Sequence, residues 1–197
     1  MPSPNACAEI IESSLQTFLG QCWQWNTTPQ FGSLVTIQEK KRIIFGIVYQ
    51  IQTGSMDPVR YPFPYQKTHE ELLAEQPQIF EFLKTTFSCA TLGYQEDERI
   101  FNLIVPEPPS IHSFISPAAP LLAKRFFNNQ DYLHLLFSQA STIGHIDELL
   151  LALLKQQASL GLTKTDHLQD FIHTFSLLTG NDYRRLKLFL ARAQALI

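Results

Sequence analysis

The sequence predicts an α+β protein, with a small N-terminal β-barrel followed by an all-α helical subdomain. Three observations carry the prediction. Residues 1–110 are rich in β-branched and aromatic residues punctuated by single glycines, the pattern of short strands with tight bends. Residues 111–197 repeat apolar side chains at spacings of three and four, between clear helix start and stop signals. A proline-rich joint, Val105-Pro106-Glu107-Pro108-Pro109, lies between them as a semi-rigid connector. Net charge changes there too, from −5 over residues 1–110 (7 basic, 12 acidic) to +2 over residues 111–197 (8 basic, 6 acidic). The expected division is a tail over 1–13, a barrel with an inserted helix over 14–105, a linker over 106–110 and a helical subdomain over 111–197.

Leu15–Trp25 is the first strand candidate, with Gly20 at a bulge or bend. Asn26–Gln30 is a loop. Ser33–Gln38 alternates with a period of two, Glu39–Arg42 is a charged turn, and Ile43–Gln52 is a long β-rich run ending at Thr53-Gly54. Further strands fit Ala90–Gln95 and Arg99–Val105, joined by the acidic turn Glu96-Asp97-Glu98. Between them the period changes. Thr68-His69-Glu70-Glu71 is a capping box, since the threonine hydroxyl and the glutamate three residues on satisfy each other's backbone donors. A short helix should follow and restart at Pro77, with Ile79, Phe80 and Leu83 on its apolar face.

In the second half, Ser116-Pro117 reads as an N-cap followed by a first-turn proline. Asn129 would cap Gln130–Gln139. Ile146–Ser159 is a strongly apolar helix with Gly161 at its C-terminal turn. Thr163 or Thr165 opens another helix that Gly180 closes, and Asn181 opens the last, which carries Leu186, Phe189, Leu190 and Ala193. Four or five short helices of this kind make a compact bundle.

A chain of 197 residues, 45% apolar and 17% charged with 15 Phe, can bury a sizeable core. Its net charge of −3 is too small for a nucleic-acid coat. The longest apolar run, Leu149–Leu154, falls far short of the roughly 18 residues of a membrane span. Met1–Asn5 has neither the basic cluster nor the apolar stretch of a signal peptide, so a cytoplasmic protein is expected. Cys7, Cys22 and Cys89, odd in number and far apart, are no disulfide framework, and Cys22 and Cys89 read as buried inert thiols.

The motifs GxxxxGK[ST], GxGxxG, GxSxG and HExxH are absent, and all 8 glycines are isolated, so no nucleotide or other cofactor is expected. No two of the six histidines stand at i,i+4 on one helix and no cysteine neighbours one at zinc-ligand spacing, so no metal is expected. His134 reads as a core-edge residue, and His167 and His173 fall on nearly opposite helix faces. The pairs Glu70/Glu71 and Asp147/Glu148 sit in first helical turns, where the helix dipole favours them, so they are not assigned to acid–base chemistry. No catalytic residue is assigned.

Two segments remain as binding candidates. Tyr61-Pro62-Phe63-Pro64-Tyr65, flanked by Arg60 and Lys67, puts exposed-looking aromatics in a rigid loop. It would plug one end of the barrel, dock a protein partner, or stack on single-stranded nucleic acid; the acidic surroundings argue against the last. The final helix carries Arg184, Arg185 and Lys187, a stripe that would touch phosphates or an acidic partner, or simply form a solvated face.

Phe31-Gly32-Ser33-Leu34-Val35-Thr36-Ile37, followed by Ile44-Phe45-Gly46-Ile47-Val48, resembles the G-x-[LV]-V-x-[IV] … [IV]-x-G-x-V pattern of the HAS-barrel. That small barrel stands at the N-terminus of HerA-type DNA-translocating ATPases and of rotary ATP synthase subunits. Glu75-Gln76-Pro77-Gln78-Ile79-Phe80, Thr86-Phe87 and Leu92-Gly93-Tyr94 resemble the helix and return strand of the HerA-type version. The resemblance spans roughly residues 14–105 on short motifs. The whole chain also resembles a group of cyanobacterial proteins in which such a barrel precedes a helical tail. Here no phosphate loop follows the barrel, so no catalytic residue carries over. The resemblance implies ring assembly through barrel–barrel contacts and docking of accessory proteins. The expected function is therefore a non-enzymatic interaction or assembly module with a protein partner or self-association. An accessory factor of a DNA-processing complex is the alternative, and an enzyme with a dispersed site the second.

Overall fold

β1 (Ala8–Ser13) and β2 (Thr17–Cys22) form an antiparallel hairpin with a bulge between Ile10 and Glu12. β3 (Leu34–Gln38) and β4 (Ile43–Ser55) form a second hairpin around the Glu39–Arg42 turn. α1 (His69–Glu75) and α2 (Gln78–Glu81) come next, then β5 (Leu83–Glu96), β6 (Arg99–Phe101) and β7 (Phe114–Pro117). The strands run β2-β1-β7-β3-β4-β5, and β5 returns to β2, so six antiparallel strands close a barrel with β6 attached outside along β5. The computed structural model in which this is seen describes residues 5–57, 59, 62–162 and 164–196.

A six-stranded barrel has room for few side chains. Phe18, Phe87, Ile10, Ile37, Ile44, Val48, Cys89 and Ile115 fill it. Two glycines in the wall create the space. A Cβ on Gly46 would stand 2.5 Å from the Phe18 ring, and one on Gly20 would stand 2.5 Å from Ile115 Cδ1 and 2.8 Å from Phe87 Cζ. Gly20 thus sits inside a continuous strand, with the bulge on the opposing strand at its partner Ile10.

The outer face of β3, β4 and β5 is apolar as well. Leu34, Phe45, Ile47, Ala90 and Leu92 share one buried cluster with the helices. This explains why Ile43–Val48 is apolar almost without interruption: the strand is buried on both faces. The helices are α3 (Pro120–Phe126), α4 (Tyr132–Ser138), α5 (Ala140–Ile143), α6 (Ile146–Ser159), α7 (Thr165–Leu178) and α8 (Tyr183–Ala193). Phe126 lies 4.7 Å, ring to ring, from Phe45. Buried Gln139 donates to the Thr91 carbonyl (3.2 Å), and Arg125 reaches the Glu98 carbonyl (2.6 Å). Gly32, at φ +77°, lets the β2–β3 loop lie against α6, since a Cβ there would stand 2.4 Å from Ala152 Cβ. The Gln156 amide faces the same loop, donating to Gly32 O (3.2 Å) and accepting from Leu34 N–H (3.3 Å).

Several local expectations shift. Residues 8–13, expected as part of a tail, form β1, because Ala8 and Ile10 are fully buried in the barrel. Phe114–Pro117, expected at the start of a helix, is β7, which pairs with both β1 and β3 and buries Ile115. Ser116-Pro117 therefore caps nothing. Pro120 takes the first-turn position of α3 instead. The barrel thus takes strands from both sides of the proline-rich joint. β5 begins at Leu83, well before Ala90, and β6 ends at Phe101 rather than running to Val105. α6 spans Ile146–Ser159 as read, with Gly161 at φ +72° behind it. Asn129 accepts from Asp131 N–H (3.3 Å) just before α4. Lys164 precedes α7, and Thr163 lies outside the described residues. Asp182, not Asn181, caps α8.

Candidate functional site

β4 and β5 pair well beyond the barrel wall, from Ile43↔Gln95 to Ser55↔Leu83, with Met56 N–H donating to Phe82 O (2.7 Å) after the last pair. The segment between them, residues 56–82, is carried at the end of this extension. Two hydroxyls tie the extension to the barrel mouth. Thr53 and buried Thr85 face each other at 2.7 Å, and Thr85 Oγ1 donates to the Trp25 carbonyl on the β2–β3 loop. Trp25 in turn stacks on Phe80 of α2 at 5.5 Å and 16°, and His69 of α1 meets Phe80 edge-on at 4.9 Å. These ring contacts join both helices to the β2–β3 loop.

The capping box forms as read. Thr68 Oγ1 accepts from Glu71 N–H (3.2 Å), and Glu71 Oε2 accepts from Thr68 N–H (2.8 Å). With Gln66 at φ +57°, these bonds fix the direction in which the proline-aromatic loop enters α1. Phe63 and Tyr65 pack edge to face at 5.7 Å, yet Phe63 remains 71% exposed and Tyr65 38%. Lys67 forms an ion pair with Glu75. Met56 and Phe82, at the end of the ladder, are 50% and 60% exposed. Arg60 and Tyr61 lie outside the described residues.

The second candidate divides. Asp182 accepts from Arg185 N–H (3.0 Å) and starts α8. The Arg185 guanidinium turns back onto Asp147 through Nη2 (2.6 Å) and Nε (3.1 Å), over the rings of Phe175 and Phe137. Arg192 makes the same two-pronged contact with Glu148 at 2.5 and 2.8 Å. These bonds raise both guanidinium pKa values, and the Arg192 bond holds the Glu148 carboxyl below its ordinary value. Asp147 and Glu148 thus clamp α8 to α6. Arg184 and Lys187 stay exposed.

Elsewhere the helices enclose a polar chain that the sequence reading missed. Fully buried Gln157 donates to Tyr132 Oη (2.9 Å) and faces His167 Nε2 through its carbonyl oxygen (2.8 Å). Burial pushes the Tyr132 hydroxyl up and holds His167 below its ordinary value, against a weaker pull from Asp170. Burial also raises all three cysteine thiols, with Cys22 and Cys89 in the barrel core. His134 is exposed on α4 rather than at the core edge. Among the described residues no three His, Cys, Asp or Glu side chains converge as metal ligands, and no helix is long and apolar enough to cross a membrane.

Trp25, His69 and Phe80 were also missed as a unit, because nothing local links a loop tryptophan to rings more than forty positions later. Only their aromatic character could have marked them. No protein-family model matches this chain, and no curated protein matches it either.

Proposed function

We propose that this protein is a cytoplasmic, non-enzymatic protein-interaction and assembly module, built on a barrel of the HAS type. One observation carries the reading: Phe63 and Tyr65 are exposed on a loop held in place by the Thr68 capping box and the Trp25–Phe80 stack. Exposed aromatics on a fixed backbone bind at little entropic cost, since few rotamers remain to be frozen. Met56 and Phe82 extend the apolar surface at the base of the loop. Of the glycines in the HAS-like motifs, Gly46 and Gly93 lie in the wall strands β4 and β5 and Gly32 lies on the loop just before β3, and this placement in a closed barrel supports the likeness.

The DNA-accessory alternative has less support. Its stripe loses Arg185 to Asp147, leaving Arg184 and Lys187 as the exposed cations.

The test is recovery of partners by tagged wild-type protein and by Phe63→Ala/Tyr65→Ala, each with and without nuclease. Nuclease-resistant recovery that the double variant loses, at unchanged melting temperature, is the expected result. Recovery that survives the variant would refute the assignment of the loop, and recovery that nuclease abolishes would favour the DNA reading.

A further inference from the structure

β4 is longer than the strand that pairs with it on one side. β3 leaves it at Leu34↔Ile47, and the β2–β3 loop adds only Gly32 N–H to Val48 O (2.8 Å) and Val48 N–H to Ser33 O (3.2 Å). Beyond the bulge at Tyr49, β4 continues against β5 from Gln50↔Ser88 to Ser55↔Leu83. Along that stretch no strand among the described residues pairs with its other side.

The phase of the ladder identifies the unpaired groups. Met56 N–H bonds Phe82 O, so Gln50, Gln52 and Gly54, in step with Met56, turn their backbone groups toward β5. Ile51, Thr53 and Ser55 alternate with them and turn theirs away, as a row of donors and acceptors along an open edge.

Such edges are ordinarily protected by charge, proline or shortness. The other margins here are: β6 has 3 residues and begins at exposed Arg99, and the start of β5 carries Lys84. From Ile43 to Ser55, β4 contains no charged residue and no proline.

We infer that the outer edge of β4 over Ile51–Ser55 pairs with the same edge of a second copy of this chain, antiparallel about a two-fold axis at Thr53. The register follows from the row of free groups. Thr53 lies opposite Thr53 of the second copy, and Ile51 lies opposite Ser55, so the three outward residues of each copy exchange about six hydrogen bonds. Gln52 then faces Gly54. The absence of charge favours self-pairing, because a charged strand laid against its own copy would oppose like charges. The contact closes at two copies, unlike the head-to-tail contacts from which rings are built. It uses main-chain groups and does not require the aromatic loop.

Sedimentation velocity on the full chain tests this with two charge variants. Gln52 is exposed, and a Cβ at Gly54 meets nothing within 4 Å, so both positions accept long side chains without disturbing the fold. Gln52→Lys/Gly54→Lys places lysine opposite lysine twice and raises the dimer dissociation constant by about tenfold or more. Gln52→Lys/Gly54→Glu places lysine opposite glutamate and restores the dimer. A wild-type chain that stays monomeric up to about 1 mM overturns the proposal and makes a strand from another protein the occupant to seek. So does a dimer indifferent to the double lysine, or one that the lysine–glutamate variant fails to restore. Circular dichroism of both variants confirms that the comparison is between folded chains.

Discussion

Replacing Phe126 with alanine tests whether the barrel and the helices stand or fall together. The Phe126 ring is 1% exposed and touches Phe45 on the barrel wall at 4.7 Å, as well as Phe127 and Tyr132 among the helices. Truncating a buried phenylalanine costs about 3–5 kcal/mol, a large share of the roughly 5–15 kcal/mol that holds a typical domain together. With a urea m-value of about 2 kcal/mol/M, the unfolding midpoint should fall by roughly 1.5–2.5 M. The informative part is where the shift appears. Both tryptophans, Trp23 and Trp25, lie on the β2–β3 loop of the barrel, whereas far-UV ellipticity reports chiefly α6, α7 and α8. Because Phe45, Ile47 and Leu92 belong to the same buried cluster as the helices, the fluorescence and ellipticity curves should move together. Ellipticity falling early while fluorescence stays at its wild-type midpoint would refute the shared core.

Two further predictions concern the interiors. Gly46→Ala should destabilise by about 1–3 kcal/mol, since the new methyl must displace the Phe18 ring, 2.5 Å from its Cβ; an unchanged urea midpoint would mean that the ring moves freely. His167 should give an acid-side loss of stability. Its folded pKa lies below the ordinary 6.5, so folding favours the neutral ring. That contribution is fully present above pH 6.5 and is lost as pH falls from there toward the folded value. His167→Asn should flatten the stability–pH curve in that window relative to wild type, and a slope identical in the two proteins would count against it.

Elements defined by local chemistry were legible in the sequence, and those defined by distant partners were not. The Thr68–Glu71 capping box and the Ile146–Ser159 helix follow from residues three or four apart, and both formed where they were read. β7 was misread because Ser116-Pro117 satisfies the local rules for a helix start. What overrides those rules is Ile115, which fills the barrel against Gly20, ninety-odd positions away in the chain. Leu83 shares the helical spacing of Ile79 and yet opens β5, because its partner Ser55 comes from the far end of the extension. The candidate site shows the same divide. That Phe63 and Tyr65 stand exposed could be read from the prolines around them. The fate of Arg185 could not, because its carboxylate, Asp147, lies on another helix.

The way the barrel wall is used limits where recognition can occur. On β3, β4 and β5 the inward face is filled by the barrel core and the outward face of the wall is covered by the helices, so substitutions there are paid in stability. Past Val48 and before Phe87 the same two strands leave that double burial, and apart from buried Thr85 exposed or half-buried residues replace the apolar run. The 56–82 segment hangs from this part: among its described residues, His69 and Phe80 meet Trp25 on the β2–β3 loop, and Met56 and Phe82 continue the ladder. Its surface residues can therefore change without opening a cavity in either core. The inner half of this single pair of overlong strands thus holds the fold together, while the outer half carries the Phe63–Tyr65 loop and an edge of β4 that no strand among the described residues pairs. That separation sets an order for mutagenesis: Phe63, Tyr65, Gln52 and Gly54 can be changed for function, while Phe45 and Phe126 report only on the fold.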